Sequence, residues 1–165
     1  MVDLQCLAKQ LCLFEGVKLL TNNQLFKSFP WGKKASILLL AAEVANNSIK
    51  AEARTYVVCK KAIDLCWQWI SESDVEPSAL AFYLDASDQE NPYMSETVFA
   101  DSEPNKQALI FITMVVGYCA NRAYKRSGRS AEMSETICEA GDSIEDALLD
   151  WGCSYGINSL MDMLS

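Results

Sequence analysis

Histidine is absent from the sequence, and its absence removes a large share of enzyme chemistry. Without imidazole there is no Ser-His-Asp or Cys-His activation of a nucleophile, no His-containing zinc site and no Glu-x-x-His di-iron helix. No Ser-x-x-Lys, no Walker A glycine loop and no G-x-G-x-x-G run occurs either. Residues 1–6 carry none of the basic start, apolar stretch and small-residue cleavage site of a secretory signal. The most apolar run, residues 108–120, lies between Lys106 and Arg122. It falls short of the ~20 residues that span a bilayer and predicts a buried core helix.

Cysteine is plentiful, yet the usual cysteine motifs are missing. Cys6, Cys12, Cys59, Cys66, Cys119, Cys138 and Cys153 make an odd count with no C-x-x-C. Cys59 and Cys66 share a helix face but stand ~10 Å apart along it, beyond the ~7 Å that a disulfide spans. The expectation is free thiols acting as small hydrophobes in a reducing compartment, with the chain cytoplasmic, off the membrane and without a cofactor.

Half of the 165 residues are hydrophobic, enough for a core without staples. Apolar residues recur at steps of three and four nearly everywhere, which predicts one all-α domain of six to eight helices over residues 1–165. Leu4, Leu7, Leu11 and Phe14 mark an amphipathic first helix that Asn22-Asn23 loosens, and Phe29-Pro30-Trp31-Gly32 breaks the chain. A second helix runs from about 33 to 46. In a third, Tyr56, Cys59, Ile63, Cys66 and Ile70 form one stripe, and Val58, Ala62, Leu65 and Trp69 form another. Two stripes predict burial on two sides, with Trp67 and Trp69 in the core. Pro77 opens a short helix ending near Leu84, residues 85–92 form a polar loop, and a short helix follows around 94–100. The central helix covers about 104–126, and Gly117 inside it predicts close approach of a neighbour. Ser127-Gly128 ends it, Ser130 caps the next helix, and Met133, Ile137, Ala140, Ile144, Leu148 and Trp151 form one stripe. Gly152 and Gly156 flank a break before a terminal helix.

Charge is sorted into blocks. Residues 62–105 hold ten acids and no base, residues 106–129 five bases and no acid, and residues 130–165 eight acids and no base. Acidic faces keep a small domain soluble, and such blocks also cancel when helices pack side by side. They equally repel nucleic acid, which argues against direct DNA or RNA binding, and attract a basic protein. Aromatic rings among carboxylates suit an interface. The candidate partner-binding residues are therefore Asp74, Glu76, Tyr83, Asp85, Asp88, Glu90, Tyr93 and Glu96.

The run Leu65-Cys66-Trp67-Gln68-Trp69-Ile70, an acidic spacer and then Phe82-Tyr83-Leu84-Asp85 resemble the all-α immunity proteins of bacterial polymorphic-toxin systems. The likeness covers about residues 50–125. It implies a cytoplasmic inhibitor, monomeric or weakly dimeric, that binds one cognate toxin, with a basic nuclease as the expected kind. Two other classes compete. Glu132, Glu135, Glu139, Asp142, Glu145 and Asp146 stand at spacings that could gather carboxylates for Mg²⁺, as in all-α nucleotide hydrolases. A helical adaptor or secretion chaperone shares the size, acidity and helicity, and presents an apolar groove to an unfolded client.

Overall fold

The computed structural model describes residues 21–51, 53–72, 74–86, 90–92 and 103–164. Among them the chain forms eight α-helices, three short 3-10 turns and no strand. The helices are α1 (Asn22–Ser28), α2 (Trp31–Ser48), α3 (Ala53–Glu72), α4 (Pro77–Asp85), α5 (Glu103–Arg126), α6 (Glu135–Glu139), α7 (Glu145–Gly152) and α8 (Ile157–Leu164). The expected amphipathic helix over residues 4–20 and the short helix around 94–100 lie outside the described residues.

Local chemistry sets most boundaries. The asparagine pair at 22–23 opens α1; the helix it was expected to loosen lies outside the described residues. Thr21 Oγ accepts the Gln24 N–H at 3.3 Å, and Gln24 Oε1 accepts the Thr21 N–H at 3.0 Å. This reciprocal cap satisfies two of the donors that a helix start leaves open. Pro77 occupies the first turn of α4, where its missing N–H costs nothing. Gly128 takes φ +71° after α5, and the Arg129 N–H returns to Tyr124 O at 3.0 Å, closing the helix end.

α5 is the centre of the packing. Phe111, Ile112, Val115 and Cys119 on it are fully buried, each large apolar side chain contributing about 1.5–3 kcal/mol. α2 and α4 lie along it, while α3, α6 and α7 touch it at further points. Both stripes of α3 are buried, through Cys59, Ile63 and Cys66 on one and Val58, Ala62 and Trp69 on the other. Trp67 is only partly buried, and its indole N–H donates to Glu43 Oε1 at 2.9 Å. A Cβ on Gly117 would stand 2.9 Å from Ala140 Cβ and 3.0 Å from Leu84 Cδ2. The glycine is what lets the α4 and α6 segments close onto α5.

The stripe from Met133 to Trp151 does not form one helix. Ser134, not Ser130, caps α6, accepting the Ile137 N–H at 3.4 Å. The break after α6 has a long-range cause: Asn121 on α5, 3% exposed, donates to Ile137 O at 2.8 Å and Cys138 O at 3.3 Å. Those carbonyls are held from outside the helix, so α6 ends after five residues. Trp151, at the end of the stripe, is 36% exposed.

One buried ion pair ties the C-terminal elements to the core. Lys34 Nζ on α2 reaches both Glu145 oxygens at 3.0 and 3.1 Å, and Tyr118 Oη donates to Glu145 Oε1 at 2.7 Å. Burial, and then the Glu145 hydrogen bond, raise the Tyr118 hydroxyl well above the usual phenol value. Cys59, Cys66 and Cys119 are free and buried, while Cys138 and Cys153 are free and exposed. No helix among the described residues is long and apolar enough to cross a membrane.

Candidate functional site

The eight residues singled out in the sequence divide into three groups. Asp88, Tyr93 and Glu96 lie outside the described residues. Asp74 and Glu76 sit before α4, and Tyr83, Asp85 and Glu90 gather around its far end. Nine helical residues separate the two ends of α4 by about 13 Å, so the two described groups are distinct places.

At the first end arginine interrupts the acidic surface. Arg129 Nη1 donates to Glu76 Oε2 at 2.7 Å, while Nε and Nη2 hold both Glu132 oxygens at 2.9 and 2.7 Å. One guanidinium thus ties the first acidic block to the second. The Glu132 carboxyl is held below the usual carboxylate range by this contact. Glu76 is therefore a poor contact for a basic partner, because its charge is already answered within the fold.

The other end is different. Asn91, 6% exposed, donates to Leu84 O at 2.8 Å and Ala86 O at 3.0 Å, folding the following segment back over the end of α4. Tyr83 is half-buried, and its hydroxyl is raised first by desolvation and then by the charge of Glu90. Asp85 is exposed and accepts from Ser134 Oγ at 2.9 Å, which brings it to the start of α6. The exposed carboxylates of Glu135 and Glu139 follow on α6 itself. Among the described residues none of Asp74, Asp85, Glu135 and Glu139 meets a lysine or arginine. Two acidic blocks that are remote in sequence thus supply carboxylates to one neighbourhood.

Apolar surface lies between them. Phe82, 49% exposed, shares a helix face with Asp85 at i, i+3. An apolar cavity of about 170 Å³ opens between α4, α5 and α6, lined by Leu84, Met114, Thr136, Glu139 and Ile144 among others. It has room for one apolar side chain, and the carboxylate of Glu139 stands in its wall. Glu135, Glu139 and Phe82 were not among the candidate partner-binding residues; the two glutamates entered only as possible Mg²⁺ ligands. The spacing of Glu132, Glu135 and Glu139 was visible, but nothing local linked them to residue 85. Among the described residues no three His, Cys, Asp or Glu side chains group closely enough to hold a metal ion.

The arrangement offers charge, an aromatic ring and an apolar hole, which are elements of recognition rather than of bond-making. The model of one protein family, described as immunity protein Imm6, matches residues 33–153. No curated protein and no solved structure matches the chain.

Proposed function

The chain belongs to the Imm6 family of immunity proteins, and from that premise we propose that it neutralises its cognate toxin by laying the α4–α6 face against a basic surface. The observation that carries this reading is the meeting of Asp85 with Ser134 at the head of α6, which joins exposed carboxylates of two acidic blocks beside Phe82 and an apolar cavity. Carboxylates set around an apolar anchor orient a basic partner and speed its approach, while the anchor supplies the lasting contact. A nuclease fits as the target class, because an enzyme that grips phosphates displays lysine and arginine for an acidic protein to cover. Neutralisation takes place in the cytoplasm of the producing cell, and this chain contributes occlusion without catalysis.

The test is co-expression with the cognate toxin domain. Wild-type protein restores growth and co-purifies with the toxin, and its affinity falls as salt rises. Rescue at full strength by Asp85→Lys/Glu135→Lys/Glu139→Lys, with affinity indifferent to salt, would rule the acidic face out.

A further inference from the structure

We infer a second docking site on the same molecule: a cleft beside α5 in which Arg122 and Arg126 receive carboxylate side chains of the toxin. The inference rests on the reading of this chain as a toxin-binding protein, but on none of the residues of the α4–α6 face. Two adjoining cavities form the cleft. One of about 280 Å³ is lined by Trp31, Gly32, Ile70, Arg122 and Arg126. The other, of about 360 Å³, includes Trp69, Arg126, Arg129, Asp74 and Glu76 in its wall. Arg126 belongs to both.

The two arginines are held in a particular way. The Arg122 guanidinium lies 5.7 Å from the Trp31 ring and that of Arg126 5.4 Å from the Trp69 ring. Among the described residues neither makes an ion pair. Each ring is fixed in turn: Trp31 stacks on Tyr118 at 5.7 Å and meets Trp69 edge-on at 5.2 Å. Contact with a fixed ring reduces the rotamer freedom an arginine loses on binding, and no carboxylate of the described residues takes up its N–H donors. Positions 122 and 126 are one helical turn apart, so the two forks present themselves together to one acidic segment.

Charge along the cleft favours a protein segment over a phosphate. Among the described residues the smaller cavity has no acid in its wall, whereas the larger carries Asp74 and Glu76. A polyphosphate or nucleic-acid strand running through both would meet the exposed carboxylate of Asp74. A peptide with acidic side chains at Arg122 and Arg126, and a basic one toward Asp74, matches both ends. Ile70 and Trp69 supply apolar surface between.

The experiment is arginine-specific dicarbonyl labelling of the full chain, read by mass spectrometry, with and without the cognate toxin domain. Exposed Arg54 on α3 serves as the reference. The expected result is at least fivefold protection of Arg122 and Arg126 by the toxin, none by 10 mM inorganic phosphate, and at least tenfold weaker toxin binding by Arg122→Gln/Arg126→Gln with its helical circular dichroism intact. Unchanged labelling with the toxin bound overturns the second site and leaves the acidic face standing. Protection of these arginines in a complex that ignores the Asp85, Glu135 and Glu139 reversals supports the cleft and removes the acidic face. Protection by phosphate at that concentration, with none from toxin, overturns the assignment to a protein carboxylate.

Discussion

Replacing Lys34 with methionine probes how strongly the C-terminal elements are held to the core. Glu145 is 5% exposed at its side chain and Lys34 13%, with both carboxylate oxygens within 3.1 Å of the ammonium. Removing the lysine leaves a buried carboxylate answered only by the Tyr118 hydroxyl. Breaking such a pair costs about 3–5 kcal/mol, a large part of the ~5–15 kcal/mol that holds a domain together. At about 2–4 °C per kcal/mol for a chain of this size, the melting temperature falls by roughly 6–20 °C. Glu145→Gln is milder, about 1–3 kcal/mol, because the amide still accepts from Tyr118 and the ammonium can reach toward solvent. The double variant Lys34→Met/Glu145→Gln then costs less than the two single changes together, since the residues are in direct contact. Urea unfolding followed by tryptophan fluorescence and circular dichroism measures all three. A Lys34→Met loss under about 1 kcal/mol, or simple additivity in the double variant, would refute the claim that a closed pair anchors α7.

Gly117→Val forces a side chain against Ala140 and Leu84 and costs about 1–3 kcal/mol, and calorimetry should show it more damaging than Gly117→Ala, whose overpacking is offset by about 1 kcal/mol of helix propensity. In the native protein a thiol reagent should label Cys138 and Cys153 quickly, and Cys59, Cys66 and Cys119 only after unfolding, as peptide mapping will show. Burial pushes the Cys59 thiol from 9.0 up to about 12. The unfolded chain therefore gives up that proton first, so the stability linked to it is complete below pH 9 and is lost as pH rises toward 12. The loss is at most about 1.4 kcal/mol per pH unit, and Cys59→Val should flatten that alkaline slope in urea titrations at pH 8 to 11.

The helices were legible because their signals are local. Pro77 at a helix start, Ser127-Gly128 at a helix end and the double stripe of α3 need only a few neighbouring residues to be read. Gly117 was legible too, since a glycine in an apolar helix must be repaid by something close, here Ala140 and Leu84. What the sequence hid depends on partners far along the chain. Asn121 ends α6 from sixteen residues away, so an unbroken apolar stripe through residue 151 gave no sign of the break. The candidate site was hidden in the same way. Fifty-three residues separate Arg129 from Glu76 and forty-nine separate Ser134 from Asp85. Counting charges found the acidic blocks, but only the packing of α4 against α6 tells which carboxylates stand together and which is taken by an arginine.

The most direct test of the account is the dissociation constant of the toxin complex for Asp85→Lys/Glu139→Lys, measured by calorimetry at low and moderate salt beside the unaltered chain. Both positions are exposed, so the fold should tolerate the change. A loss of at least tenfold that narrows as salt increases is the predicted result. An affinity equal to that of the unaltered chain at every salt concentration would contradict the assignment of α4 and α6 as the toxin-binding face.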